Sequence, residues 1–184
     1  MREVEVKARV SNPTLVLSKL RDLKVRFGPP ITQHDRVFSP ASVKEKFGTR
    51  QIGVNFLRVR RQGGESFLTL KRSGTNELDS FELETTISDP GQAEKMLEAL
   101  GYVLASEIKK TRRKSRLKDI EICLDEVEML GAFIELEKLL EDDGDVSGVQ
   151  DELFNFLKQL GINDSDRIEQ GYDTLMETTL KKRG

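Results

Sequence analysis

Cysteine and histidine are almost missing from this chain. One cysteine (Cys123) and one histidine (His34) occur among 184 residues. A lone cysteine excludes an internal disulfide framework and fits a reducing compartment, so the expectation is a cytoplasmic protein. One cysteine and one histidine, not in ligand spacing, also argue against zinc. No apolar run approaches the roughly 20 residues that span a bilayer, and the chain opens on a charged strand rather than a secretion signal. Neither sign of charge is in excess: 30 Lys and Arg balance 32 Asp and Glu. That balance excludes the broad basic footprint of a nucleic-acid binder. No glycine-rich loop ending in Lys-Ser or Lys-Thr is present, which excludes a P-loop nucleotide site. His34 is read as a satisfied surface residue, not a catalyst.

What the chain does have is charge arranged at period two. In residues 1–10, Val4, Val6, Ala8 and Val10 fall on one face of an extended strand, and Glu3, Glu5, Lys7 and Arg9 on the other. The same ionic alternation returns in 52–61 (Arg58, Arg60), 65–72 (Lys71), 77–87 (Glu82, Glu84), 102–116 (Lys110, Arg112), 117–127 (Asp125, with Asp119 and Glu121 as further candidates) and 132–138 (Glu135, Glu137). Residues 31–38 form another strand, and Gly63-Gly64 marks a hairpin. The Lys-rich segment 39–51 reads as a loop. Helices are expected over 13–24 and after Asp89-Pro90, each with a cap residue followed by proline. Two more are expected at the end, through Val149, Leu153, Phe154, Phe156, Leu157 and Leu160, and from Ser165-Asp166 onward.

Eight strands and four helices in one domain, 1–184, with mostly hairpin connections, predict an antiparallel α+β fold. A flat sheet would leave the ionic faces in water. A closed eight-stranded antiparallel β-barrel with helices packed outside would gather them in its lumen. Strand propensity favours Thr and disfavours Glu and Lys, so faces made almost wholly of charges favour the barrel. Like charges at i and i+2 (Glu3/Glu5, Arg58/Arg60, Glu82/Glu84, Lys110/Arg112, Glu135/Glu137) each call for something of opposite sign opposite them. A polyphosphate with a divalent ion meets both demands. Arg and Lys bind phosphoryl oxygens, and carboxylates hold Mg²⁺ or Mn²⁺.

These residues also resemble a known pattern. Glu3-x-Glu5-x-Lys7 is similar to the signature of the CYTH superfamily, the triphosphate tunnel metalloenzymes. In order follow Gln33-His34-Asp35 with Phe38, Leu57-Arg58-Val59-Arg60, Leu68-Thr69-Leu70-Lys71, Glu82-Leu83-Glu84, Lys110-Thr111-Arg112, Leu124-Asp125-Glu126-Val127 and Leu130-Gly131-Ala132-Phe133-Ile134-Glu135-Leu136-Glu137. Gly171-Tyr172-Asp173-Thr174-Leu175-Met176 resembles the family's closing element, with Gly171 where the family carries Ser.

The resemblance implies an eight-stranded tunnel that binds a triphosphate lengthwise. It implies that Lys7, Arg58, Arg60, Lys71, Lys110 and Arg112 hold the phosphates, with Lys109 and Arg113 as alternates if the strand slips by one residue. It implies that Glu3, Glu5, Glu135 and Glu137, with Asp125 and the further candidates Glu82 and Glu84, hold one or two Mg²⁺ or Mn²⁺ ions. The activities it suggests are a class IV adenylate cyclase, converting ATP to cyclic AMP and pyrophosphate, or a triphosphatase for inorganic triphosphate, thiamine triphosphate or nucleoside triphosphates. A polyphosphate-binding module without turnover is the third reading. Lys7, Glu5 and Glu137 are the expected catalytic groups, Lys7 serving as base if neighbouring cations lower its pKa. Strand edges and the C-terminal helices are surfaces on which a homodimer could form.

Overall fold

A computed structural model of the chain describes residues 2–46, 52–141 and 144–182. Among them, in chain order, run β1 (Arg2–Arg9), α1 (Pro13–Asp22), β2 (Ile31–Pro40), β3 (Asn55–Gln62), β4 (Glu65–Ser73), β5 (Asp79–Thr86), α2 (Pro90–Ala99), β6 (Tyr102–Leu117), β7 (Ile120–Val127), β8 (Gly131–Leu140), α3 (Val146–Gln159), β9 (Arg167–Ile168) and α4 (Tyr172–Lys181). A short 3₁₀ turn, Ala41–Lys46, follows β2. The rest of the segment read as a loop, 47–51, lies outside the described residues, as does Met1 of the first strand.

Every strand pairing is antiparallel, in the order β5-β4-β3-β2-β6-β7-β8-β1. The ring closes where Arg2, Glu3 and Val4 of β1 pair with Phe81, Ser80 and Asp79 of β5. The protein is therefore a closed eight-stranded antiparallel barrel with helices around it. Beyond Val4, the same edge of β1 is occupied by β9, which pairs at Lys7 and Ala8. Turn chemistry helps set the register. Gly63 and Gly64 have φ of 57° and 86°, the two left-handed positions of a tight hairpin that matches strand twist.

Period-two alternation sends the apolar row of each strand outward, where helices cover it. Val6, Ala8, Ile122, Ile134 and Leu136 of β1, β7 and β8 pack against Val16 and Leu20 of α1 and Leu153, Phe154 and Leu157 of α3. On the far side, Phe38 and Val59 of β2 and β3 pack against Leu97 of α2. Side-chain caps start these helices. Asn12, Asp89 and Asp145 accept from the backbone N–H of Leu15, Gln92 and Gly148 at 3.0, 2.9 and 3.0 Å. No helix of the described residues is long and apolar enough to cross a membrane.

The last helix differs from expectation in both start and place. Asn163 and Asp166 form a reciprocal cap, but only over a 3₁₀ turn, Asp164–Asp166. The chain then extends to supply β9, because β1 has an open edge there, and α4 begins at Tyr172. Tyr172, Leu175 and Met176 pack on Val37, Ile108, Val127 and Phe133. Those four belong to the inward-facing rows of β2, β6, β7 and β8. So α4 closes over an apolar layer at one end of the lumen.

Candidate active site

One cavity of 520 Å³ occupies the lumen. Glu3, Glu5, Lys7, Arg58, Arg60, Lys71, Glu82, Glu84, Lys110, Arg112, Glu135 and Glu137 all line it. The charges are largely sorted by wall, with Lys7 on the acidic side and Asp35 on the basic side as exceptions. Consecutive strands β5, β1 and β8 carry Glu82, Glu84, Glu3, Glu5, Glu135 and Glu137, while β3, β4 and β6 carry Arg58, Arg60, Lys71, Lys110 and Arg112. The phase of β6 is unambiguous: Lys110 and Arg112 are buried and face the cavity, and Lys109 and Arg113 are exposed.

Ion pairs between nearby strands of the wall divide the acids into two kinds. Asp125 is buried and bound to Arg112, whose Nε and Nη2 donate to its Oδ1 and Oδ2 at 2.7 and 2.5 Å. Arg112 also donates to Glu135, and its Nη1 donates to Glu137 Oε1 at 3.3 Å. Lys71 lies 2.9 Å from Glu82, and Arg58 lies 3.4 Å from Glu84. These carboxylates already have cations. Burial opposes it, but Lys71 and Arg58 bring the Glu82 carboxyl down to about 2.

Glu3, Glu5 and Glu137 are set apart by lying against one another, although Glu5 has Lys7 and Glu137 has Arg112 within ion-pair distance. Each offers an oxygen, and all three oxygens lie within 4.8 Å of one another. Burial, with Glu137 and Glu82 beside it, pushes the Glu3 carboxyl up to about 8. Burial also outweighs the Arg112 guanidinium at Glu137 and, with Glu135 and Glu5 nearby, raises that carboxyl to about 7. One buried and two half-buried carboxylates that repel one another are a hard-oxygen donor set for Mg²⁺ or Mn²⁺. Glu121, Cys123 and Glu137 form an adjoining group. Its thiol donates to Glu137 Oε1 at 3.5 Å, and burial drives the Cys123 pKa far above the ordinary thiol value.

Lys7 departs from the role of a cation-crowded base. Its Nζ stands 3.2 Å from Glu5 Oε1 and 3.1 Å from Glu135 Oε1, and donates to the Gln170 carbonyl at 3.2 Å. Burial works against its charge, but Glu5 and Glu135 more than offset that and hold its pKa above the usual lysine value. Lys110 is the lysine in the opposite condition. Burial, with Arg112 and Arg60 close by, brings it down to about 8. Arg9 follows the strand parity yet stays out of the cavity, donating to the Leu130 carbonyl at 2.9 Å. Asp119 pairs outside with Lys138 at 2.9 Å.

Strand parity passed over Asp35, Lys114 and Tyr172 as contributors, while Glu121, a further candidate, does line the cavity. Asp35 clasps Arg60 through both oxygens at 2.7 Å, and the guanidinium, against the pull of burial, holds its carboxyl well below the usual range. Asp35 shares its face of β2 with Gln33 and Val37, and one charge in a mixed row carries no parity signal. Lys114 and Glu121 line the cavity as an ion pair. Tyr172 enters from α4, off the strands altogether, where alternation says nothing.

Comparison with known proteins gives a consistent result. The family model described as CYTH domain matches residues 1–172. A Methanocaldococcus jannaschii protein named "Putative adenylate cyclase" is 29% identical over 174 residues, covering 94% of this chain and 97% of that one. Two solved Pyrococcus horikoshii structures superpose with TM-scores of 0.78 and 0.77 at 25% and 28% identity. They cover 95% and 98% of this chain and 99% of each of those chains.

Proposed function

Because this chain belongs to the CYTH domain family, we propose that it is a divalent-metal-dependent enzyme acting on ATP, whose triphosphate lies lengthwise in the barrel, with cyclic AMP and pyrophosphate as products. The observation that carries the reading is a single cavity with an acidic wall opposite a basic one. Such a division suits a ligand that is itself a row of anions bridged by a cation. The "adenylate cyclase" in the name of the M. jannaschii relative supports the choice of reaction. A cytoplasmic place of action accompanies it, on the strength of the single cysteine.

In this reading Arg58, Arg60, Lys71, Lys110, Arg112 and Lys7 take the phosphoryl oxygens. The arginines bind through paired N–H groups and the lysines as point charges. Glu3, Glu5 and Glu137 hold Mg²⁺ or Mn²⁺. When bound, such an ion neutralises charge that develops on phosphoryl oxygens and acidifies a bound hydroxyl. Asp35, Asp125, Glu135, Glu82 and Glu84 hold the basic groups in place, so little reorganisation is needed when the substrate enters. The ribose 3′-oxygen forms a bond to the α-phosphorus, the bond from that phosphorus to the bridging oxygen breaks, and pyrophosphate leaves. The hydroxyl proton has an acceptor on the acidic wall, where Glu5 and Glu137 stand.

Incubation with Mg²⁺ or Mn²⁺ and, separately, ATP, inorganic triphosphate and thiamine triphosphate tests the proposal. Cyclic AMP and pyrophosphate should form from ATP, and Glu5→Ala and Arg60→Ala should each abolish turnover while keeping the wild-type circular dichroism spectrum. Orthophosphate without a cyclic product would overturn the cyclase in favour of a triphosphatase. No turnover of any of the three would overturn the enzyme in favour of a polyphosphate binder.

A further inference from the structure

Tyr172 is 7% exposed and is the first residue of α4, the helix that covers the apolar end of the lumen. Its ring centroid lies 4.2 Å from Lys7 Nζ and 4.8 Å from Lys110 Nζ. Those lysines come from β1 and β6, which are separated around the barrel by β7 and β8. One ring thus touches two ammonium groups from different parts of the wall. The ring is itself fixed by an edge contact with Phe133, with centroids 5.1 Å apart at an interplanar angle of 69°. The backbone just before it is fixed too, since Gly171 N–H donates to Glu77 Oε2 at 2.9 Å.

The other partners of Lys7 are Glu5, Glu135 and the Gln170 carbonyl. Glu5 also belongs to the three-carboxylate cluster. A cation drawn to that cluster competes with Lys7 for Glu5, whereas an aromatic face and a backbone carbonyl are indifferent to it. A lysine on a four-carbon stem, once released from a carboxylate, has many rotamers to occupy.

We propose that Tyr172 is a positioning residue that holds the Lys7 and Lys110 ammonium groups together at the closed end of the cavity, where they receive the terminal phosphoryl group of the substrate. The proposal rests on the triphosphate reading above. It assigns a direction to the substrate: the free end of the phosphate chain points toward α4. Desolvated cation–π contacts are strong enough to matter here, and the hydroxyl is not needed for them.

Two measurements test it. In the NMR spectrum of the wild-type protein, the ε-methylene protons of Lys7 and Lys110, assigned with Lys7→Arg and Lys110→Arg, should lie upfield of those of surface lysines. Shifts equal to those of surface lysines would overturn the ring contact, and this readout needs no Tyr172 variant to fold. Calorimetric titration with inorganic triphosphate and Mg²⁺ should then show Tyr172→Leu binding about tenfold more weakly, with Tyr172→Phe close to wild type. Tyr172→Leu binding as tightly as wild type, or Tyr172→Phe as weak as Tyr172→Leu, would overturn the positioning role. Absence of binding to the wild-type protein, with the methylene shifts present, would instead overturn the triphosphate reading.

Discussion

Asp35 and Arg60 show how much of this site depends on single pairings. Both are buried, and the carboxylate takes two guanidinium N–H bonds. Removing one partner of a buried pair costs far more than the pair contributes net, because the survivor is left charged and desolvated. Asp35→Ala should therefore lower unfolding stability in urea by about 3–5 kcal/mol. A loss below about 1 kcal/mol, the range of exposed pairs, would mean that Arg60 finds water or another acid. The same logic separates the glutamates. Asp125 and Glu135 are committed to Arg112, and Glu135 to Lys7 as well, so their charge is already answered within the fold. Glu137 has only the 3.3 Å contact with Arg112 against burial and two neighbouring acids, Glu3 has burial and acidic neighbours too, and both carboxyls are pushed up. Residue type alone does not distinguish these groups, since all were legible only as inward-facing acids.

At the level of elements, the helices are positioned by what they cover. α3 has a side-chain cap at Asp145, but Leu153 and Leu157 are fully buried against the outward rows of β1, β7 and β8. Leu157→Ala should cost about 2–5 kcal/mol, whereas Asp145→Ala should cost about 1 kcal/mol, as read from thermal or urea unfolding of both variants. Equal costs would mean that α3 is held by its local signals and not by docking. The proline and cap signals that marked α1 and α2 in the sequence are local, and both helices start at the residue those signals indicate. Ser165-Asp166, the expected start of the last helix, falls instead in a single 3₁₀ turn, because the next two residues are taken by the free edge of β1. That edge is the part of β1 that β5 leaves uncovered, which no local signal near residue 163 contains.

The molecule as a whole gathers like charge and leaves part of it uncompensated, so its stability should depend on pH and metal together. The folded-state pKa values of Glu3 (about 8) and Glu137 (about 7) lie above the ordinary value of 4.5. Groups raised in this way contribute stability below their unfolded pKa and lose it as pH rises through the folded one. In the presence of a chelator, Tm should fall from about pH 5 to about pH 7.5. Mg²⁺ or Mn²⁺ binds the deprotonated cluster and should raise Tm most at the upper end, flattening the curve. A chelator-treated protein whose Tm climbs over that interval would contradict the electrostatics of the cluster. Lys110 acts in the opposite sense, gaining stability above about pH 8, and so falls outside the window.

Alternation at period two determined, from the sequence alone, which side chains of each strand look inward, because side-chain direction along a strand is a local property. Rows made largely of charge then favoured a closed barrel as the arrangement that could pair them. Which inward groups meet was decided only by tertiary structure. It depends on strand register, on tilt around the ring and on where α4 settles. Those relations bind Asp125 to Arg112 and Asp35 to Arg60, leave Glu3, Glu5 and Glu137 as neighbours, and set Tyr172 against two lysines. None of them is a repeat along the chain, since each joins residues on different strands or on α4 that only strand pairing or helix docking brings into contact.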